Sequence, residues 1–133
     1  MKLVGLTGSI GTGKSTVSGL FSAHNFNIID ADSIAHQQAK KGTATFYETV
    51  AHFPGILSET NEIDRGKLSA VIFTDSVRRS RLNSITHFWI LLEMTAQVLY
   101  HFISYDSVCI LDIPLLFEAG LDSYITFIIL VYW

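Results

Sequence analysis

Residues 8–16 have the types and the spacing of a loop that binds the phosphate groups of a nucleotide. They read Gly-Ser-Ile-Gly-Thr-Gly-Lys-Ser-Thr and fit the pattern G-x-x-x-x-G-K-[ST] at every fixed position. Glycines let such a loop turn tightly, so successive backbone N–H groups point into one concavity, and the following helix adds its positive N-terminal end. The predicted phosphate site comprises Gly8, Ser9, Ile10, Gly11, Thr12, Gly13, Lys14, Ser15 and Thr16.

Two side chains of this loop could act on a bound nucleotide. Lys14 could reach the β- and γ-phosphates, and the Ser15 hydroxyl could ligate Mg²⁺. An apolar, strand-like stretch at residues 3–6 precedes the loop and a helical pattern follows it, as this motif requires. That setting favours phosphate binding over the alternative, which is a flexible glycine- and serine-rich turn that binds nothing.

A carboxylate closes each of two later apolar runs. Asp112 ends the run Val-Cys-Ile-Leu-Asp and could hold Mg²⁺ directly or through water, although a turn-capping role is equally open. Asp30 ends residues 26–30, and Asp32 follows two residues later. A carboxylate beside the γ-phosphate could orient an acceptor hydroxyl and take its proton. Asp32 could equally be only a helix N-cap, worth about 1 kcal/mol.

Strand-like and helical patterns alternate along the chain and predict an α/β fold. We predict strands at residues 2–7, 26–30, 107–112 and 124–132, and helices at residues 14–24, 33–40, 43–52, 76–86 and 88–103, with a further helix after Asp64. Such alternation implies a parallel sheet with helices on both faces. Together with the phosphate loop, this arrangement resembles the fold of P-loop NTPases. Ligands bind at the carboxyl edge of such sheets, so the loop, Asp30 and Asp112 should converge on one crevice.

The composition indicates one compact domain with a core. The chain has 133 residues, of which 49% are hydrophobic and 16% charged. Its net charge of -3 argues against broad electrostatic binding to nucleic acid. Cys109 stands alone in an apolar run and is interpreted as an inert core thiol of a reducing compartment. We expect a cytoplasmic protein without a signal peptide or a membrane span.

Five segments of the chain resemble the dephospho-coenzyme A kinase family, which belongs to the P-loop kinases. The segments occur in the family's order and cover residues 4–16, 29–35, 63–65, 82–87 and 111–118. The Asp-Ala-Asp sequence at 30–32 and the Asp-Ile-Pro-Leu-Leu-Phe-Glu sequence at 112–118 are far more diagnostic than the phosphate loop, which many families share.

The resemblance implies transfer of the ATP γ-phosphate to the ribose 3′-hydroxyl of dephospho-coenzyme A, the last step of coenzyme A synthesis. It implies that Asp32 is the catalytic base, that Lys14 takes part in catalysis, and that Lys14, Ser15 and Thr16 serve ATP and Mg²⁺. The residues that it places at the acceptor site are Asp30, Arg65, His87, Pro114, Leu115 and Phe117.

Several alternatives stay open at this point. Arg65 could pair with an acceptor phosphate or be an ordinary surface charge, and Leu115 and Phe117 could line a pocket or only pack. The chain departs from the family at His36, where an arginine is usual, and at Phe88, where a proline is expected. A non-catalytic nucleotide-binding or interaction protein of the same fold, and a P-loop kinase for another small molecule, also remain open.

Family members normally extend well beyond residue 133. The resemblance places the lid, its arginines, the last strand and the adenine contacts in that extension. We therefore expect residues 1–133 to form an incomplete kinase domain with a helical acceptor-side insertion at about 43–103, and to be a poor or inactive kinase. The apolar strand at 124–132 would form a bare sheet edge, so self-association through it is expected.

Overall fold

The computed structural model describes residues 1–9, 11–113, 120 and 122–132, and its strands and helices alternate along the chain. The elements in chain order are β1 (Lys2–Gly8), α1 (Lys14–Ala23), β2 (Asn27–Asp30), α2 (Ala31–Gln38), α3 (Ala44–His52), α4 (Arg65–Phe73), α5 (Ser76–Ile103), β3 (Val108–Asp112), a short 3₁₀ helix (Asp122–Tyr124) and β4 (Phe127–Val131). Among these residues, none of the helices is long and apolar enough to cross a membrane.

The chain divides into two compact units. The first, called the sheet unit below, consists of Met1–Ser33 and Met94–Trp133, and the second, called the helical unit, of Ile34–Glu93. The helical unit overlaps most of the region in which the resemblance implied a helical insertion.

The sheet unit is built on four parallel strands in the order β2-β3-β1-β4. Leu6, Ile29 and Ile110 are almost completely buried and form part of the hydrophobic core around this sheet. The register pairs Asp112 of β3 with Leu6 of β1 and with Asp30 of β2. This arrangement confirms the predicted α/β fold with a parallel sheet and brings the carboxyl ends of the strands to one edge.

The helical unit has a core of its own. Phe53, Ile56 and Ile85 are buried at its centre. The partly buried hydrophobic side chains that pack against them are Ile63, Leu68, Val71, Ile72, Leu82 and Trp89. The indole Nε1 of Trp89 donates a hydrogen bond to Glu48 Oε2 at 2.5 Å, which ties α5 to α3.

Side-chain caps are present at the start of α3, α4 and α5. Thr43 Oγ1 accepts a hydrogen bond from the Phe46 N–H at 3.2 Å, at the start of α3. Asp64 Oδ1 accepts from two backbone N–H groups at the start of α4, and Asp75 Oδ1 does the same for α5. These side chains satisfy donors that have no partner within the helix.

Two predicted boundaries are wrong. Residues 76–86 and 88–103 form one helix of 28 residues, because Phe88 has a backbone N–H that continues the helical ladder through His87. The fourth strand begins at Phe127 and not at Tyr124, because Asp122–Tyr124 forms the short 3₁₀ helix.

The lone cysteine lies within the sheet. Cys109 in β3 has no exposed surface. Burial, and to a lesser degree the negative charge of Asp106, raises the pKa of the Cys109 thiol to about 11. The folded protein therefore keeps this thiol protonated at neutral pH, and only the thiolate is a good nucleophile.

We expect iodoacetamide to leave Cys109 unmodified in the folded protein at about pH 8, where an ordinary thiol with a pKa near 8.5 reacts readily. Labelling should increase as the pH rises towards the thiol's pKa, because the thiolate fraction increases. Intact-mass spectrometry measures the modified fraction, and the same protein in denaturant is the matched control. Native and denatured protein labelled at the same rate would contradict this account of β3.

Candidate functional site

The phosphate loop joins β1 to α1 and leaves the start of the helix without a side-chain cap. Gly11 and Gly13 have φ of 82° and 86°, in the left-handed region that favours glycine. Gly13 precedes α1, and no side chain in the described part of the chain accepts a hydrogen bond from the first turn. The N–H groups of Lys14, Ser15 and Thr16 lack partners within the helix. They and the positive helix end can bind an anion.

Gly8 fixes the start of the loop against β4. A Cβ atom at position 8 would lie 2.7 Å from the Val131 carbonyl oxygen and 2.9 Å from Thr12 Oγ1. Thr12 Oγ1 donates a hydrogen bond to the Ser9 carbonyl at 2.7 Å, which closes the loop on itself. Thr12 is held by this hydrogen bond, and Val131 is held by the pairing of β4 with β1. Any larger residue at position 8 would therefore displace either the loop or β4.

Lys14 and Asp112 form an ion pair beside the loop. Lys14 Nζ contacts Asp112 Oδ1, although the two residues are 98 positions apart in sequence. Their side chains are only 15% and 5% exposed, so the carboxylate has a counter-charge in a largely buried position. The structure thus brings together the predicted phosphate-binding lysine and the predicted strand-end carboxylate.

Asp30 and Asp32 have different roles at the start of α2. Asp30 Oδ1 accepts hydrogen bonds from the N–H groups of Asp32 at 2.9 Å and Ser33 at 3.2 Å. Asp30 is therefore the cap, and the expectation that Asp32 caps this helix is wrong because α2 already begins at Ala31. Asp32 is exposed in the first turn, and within the described residues no hydrogen bond occupies its carboxylate. That carboxylate is accessible to a ligand.

Asp112 and Ser15 provide oxygen donors of the kind that Mg²⁺ prefers. The described residues contain no group of three or more histidine, cysteine or acidic side chains that could enclose a metal ion. Mg²⁺ seldom needs such a group, because it usually keeps several waters and takes one or two carboxylates together with phosphate oxygens. One buried carboxylate and one exposed hydroxyl next to a phosphate-binding loop therefore fit this ion.

The helical unit contains a cavity of about 700 Å³, called the helical cavity below. Its basic side chains are Lys40, Lys41 and Arg65, accompanied by His36, and its one acidic side chain is Glu62. The remaining lining residues are mostly small or apolar: Ala35, Ala39, Thr45, Phe46, Thr49, Ile63, Leu68, Leu82 and Thr86. A concave, largely apolar surface with a few cationic groups suits an organic anion.

The residues predicted at the acceptor site do not all lie in this cavity. Arg65 lines it, whereas His87 is exposed on α5 and does not. Pro114, Leu115, Phe117 and the loop residue Ile10 lie outside the described residues. The sequence did not indicate that Lys40 and Lys41 line this cavity, since two adjacent lysines are also typical of a solvated surface.

Comparison with known proteins gives a consistent result. The profile of the dephospho-CoA kinase family matches residues 2–133. A dephospho-CoA kinase of Geobacillus kaustophilus is 41% identical over 130 residues, which cover 97% of this chain. A dephospho-CoA kinase domain-containing protein of Danio rerio is 45% identical over 134 residues, which cover 99% of this chain.

A solved structure shares the fold as well. Dephospho-CoA kinase from Campylobacter jejuni superimposes with a TM-score of 0.76 at 26% identity, covering 98% of this chain and 66% of its own. The chain spans 65% of the Geobacillus protein and 58% of the Danio protein. The family profile and these identities extend over nearly every residue of the sequence, and the chain therefore belongs to the dephospho-CoA kinase family.

Proposed function

We propose that this chain carries donor and acceptor sites for transfer of the γ-phosphate of ATP to the ribose 3′-hydroxyl of dephospho-coenzyme A. The observation that carries the proposal is the uncapped N-terminus of α1 beside the Lys14–Asp112 pair. By contrast, α2, α3, α4 and α5 each begin with a side-chain cap that accepts hydrogen bonds from first-turn N–H groups. Family membership supports the choice of acceptor.

On the donor side, the residues of the loop bind and neutralise phosphate. The first-turn N–H groups of α1 would donate to phosphate oxygens, and Lys14 would offset the charge that develops during transfer. Mg²⁺ would be held by Ser15 and Asp112, where it supplies further positive charge to the β- and γ-phosphates. Asp112 also holds the Lys14 ammonium beside the loop until a phosphate replaces Asp112 as the partner of Lys14.

On the acceptor side, Asp32 acts as the general base. Its carboxylate takes the proton of the 3′-hydroxyl while that oxygen forms a bond to the γ-phosphorus. The bond between the γ-phosphorus and the bridging oxygen breaks, and ADP leaves with that electron pair. Asp30 holds the backbone of Asp32 in place through its capping bond. We assign recognition of the acceptor's phosphates to Arg65, Lys40 and Lys41 of the helical cavity.

A nucleotide-binding protein without transfer activity is the second candidate. The observation that favours it is that every donor residue assigned here lies in the sheet unit, whereas the residues assigned to the acceptor's phosphates lie in the helical unit. Binding of ATP without phosphoryl transfer would favour this candidate.

Variants of the ion pair test the donor site. Lys14→Met should weaken ATP binding by at least about tenfold, because it removes a charge-assisted contact with phosphate. Asp112→Asn should bind ATP at least as tightly as the wild type in the absence of Mg²⁺, because Lys14 loses its ion-pair partner. The factor by which Mg²⁺ tightens ATP binding should fall about tenfold in this variant.

Isothermal titration calorimetry with ATP, in the presence of either Mg²⁺ or a chelator, measures both effects. Lys67→Met is the matched control, because Lys67 is an exposed lysine of α4. Wild-type affinity in Lys14→Met would contradict the donor-site assignment.

Replacing the proposed base tests the acceptor chemistry. Asp32→Asn should lower the rate of phosphoryl transfer to dephospho-coenzyme A by at least about 100-fold and leave the affinity for ATP near the wild-type value. A coupled assay of ADP release measures the rate, with Glu59→Gln as an exposed carboxylate control. Unchanged transfer in Asp32→Asn would remove Asp32 as the base.

We also propose that the 133-residue chain self-associates through β4. Among the described strands, β4 pairs only with β1. Phe127, Ile128 and Leu130 are 57%, 38% and 55% exposed, and no charged residue interrupts the strand. An apolar edge of this kind can pair with another chain.

Light scattering should therefore show oligomers at roughly tens of micromolar protein, a range in which exposed strand edges associate. Leu130→Lys should shift the protein towards the monomer, because a charge on the edge opposes pairing. Phe73→Lys, at an exposed position of α4, is the control and should leave the oligomers unchanged. A wild-type monomer across this range would count against the proposal.

A further inference from the structure

The five histidines of the chain differ in what their rings contact. Three of them donate through Nδ1 to an oxygen four or five residues away: His24 to the Leu20 carbonyl at 2.8 Å, His52 to the Glu48 carbonyl at 2.9 Å, and His101 to Asp106 Oδ2 at 2.8 Å. Within the described residues, no hydrogen bond or ion pair occupies the ring of His36 or His87. These two rings are available to a ligand.

Of these two histidines, His36 lines a cavity in which a ligand could reach its ring. His36 is exposed on α2 and lines the helical cavity, whereas His87 does not. The side chains around His36 in that lining include the cations of Lys40, Lys41 and Arg65. An imidazolium would therefore add to a set of positive charges that already faces the cavity.

Charged groups other than His36 also face the cavity. Among the described lining residues, these are Lys40 and Lys41 after α2, Glu62 before α4, and Arg65 at the start of α4. The lining residues of α3 and α5 are threonines and apolar side chains, and the one acid of α2 itself is Asp32. Imidazole is the side chain whose charge ordinarily changes between about pH 5 and 8.

We propose that His36 binds the acceptor as a proton-dependent cation, so that an acceptor bearing phosphate groups binds more tightly as the pH falls. This inference rests on the proposed assignment of the helical cavity to the acceptor. A pyrophosphate diester such as that of dephospho-coenzyme A keeps its charge near neutral pH, so the change in affinity arises in the protein. His36 thus determines how acceptor binding depends on pH, and the phosphate loop does not.

Calorimetric titration with dephospho-coenzyme A at about pH 6 and about pH 8 tests this role. The wild-type Kd should be about tenfold lower at the lower pH, the effect of one charge-assisted hydrogen bond. His36→Gln should bind at both pH values with the wild-type affinity of the higher pH. His36→Arg should bind tightly at both, because its charge does not change in this range.

His52→Gln is the matched control, because His52 is exposed on α3 and lies outside the cavity lining. It should retain the wild-type pH dependence, and circular dichroism should show the same fold for every variant. Equal Kd values for the wild type at both pH values, or an undiminished pH dependence in His36→Gln, would overturn the role of His36 and leave the proposed function standing. An absence of dephospho-coenzyme A binding at either pH would overturn the cavity assignment and this inference with it.

Discussion

The position of β3 between β1 and β2 is the constraint on which the candidate donor site depends. It sets Asp112 opposite Leu6 on one side and opposite Asp30 on the other, so the acidic ends of two strands meet where β1 leads into the phosphate loop. The Lys14–Asp112 ion pair then spans 98 residues of sequence. A shift of one residue in this register would turn the Asp112 side chain to the opposite face of the sheet and separate the pair.

The helix that follows the phosphate loop lacks the side-chain cap that α3, α4 and α5 have. Thr43, Asp64 and Asp75 cap α3, α4 and α5, whereas α1 begins after a glycine with positive φ and has no such cap among the described residues. Unpaired N–H donors carry a free-energy cost unless water or a ligand satisfies them. Local exceptions of this kind are expected where function opposes stability. Gly8 is a second position that the loop constrains, since only a residue without a side chain fits between Thr12 and β4.

Much of this architecture could be predicted from the sequence because its signals are local. The phosphate loop is a contiguous pattern, and the caps at Thr43 and Asp64 follow from side chains that compete for backbone donors. The convergence of Asp30 and Asp112 followed from the general rule for parallel sheets.

Other features depend on context that a sequence pattern does not contain. Asp30 and Asp32 have the same capping preference, and the end of β2 decides which of them lies just outside α2. The merging of two predicted helices into α5 depends on Phe88, which continues a backbone ladder that a proline would interrupt. The helical cavity forms only when distant segments of the helical unit pack, so Lys40 and Lys41 could not be assigned to it beforehand.

The binding of ATP phosphates to the loop between β1 and α1 is tested most directly by a titration that observes the backbone amides themselves. Amide NMR spectra with Mg²⁺ and increasing ATP should show large downfield shifts for Gly13, Lys14, Ser15 and Thr16, because their N–H groups would donate to phosphate. The amides of α3 and α4 should change far less. Loop amides that stay unshifted at saturating ATP, or shifts confined to other segments, would contradict the proposed donor site.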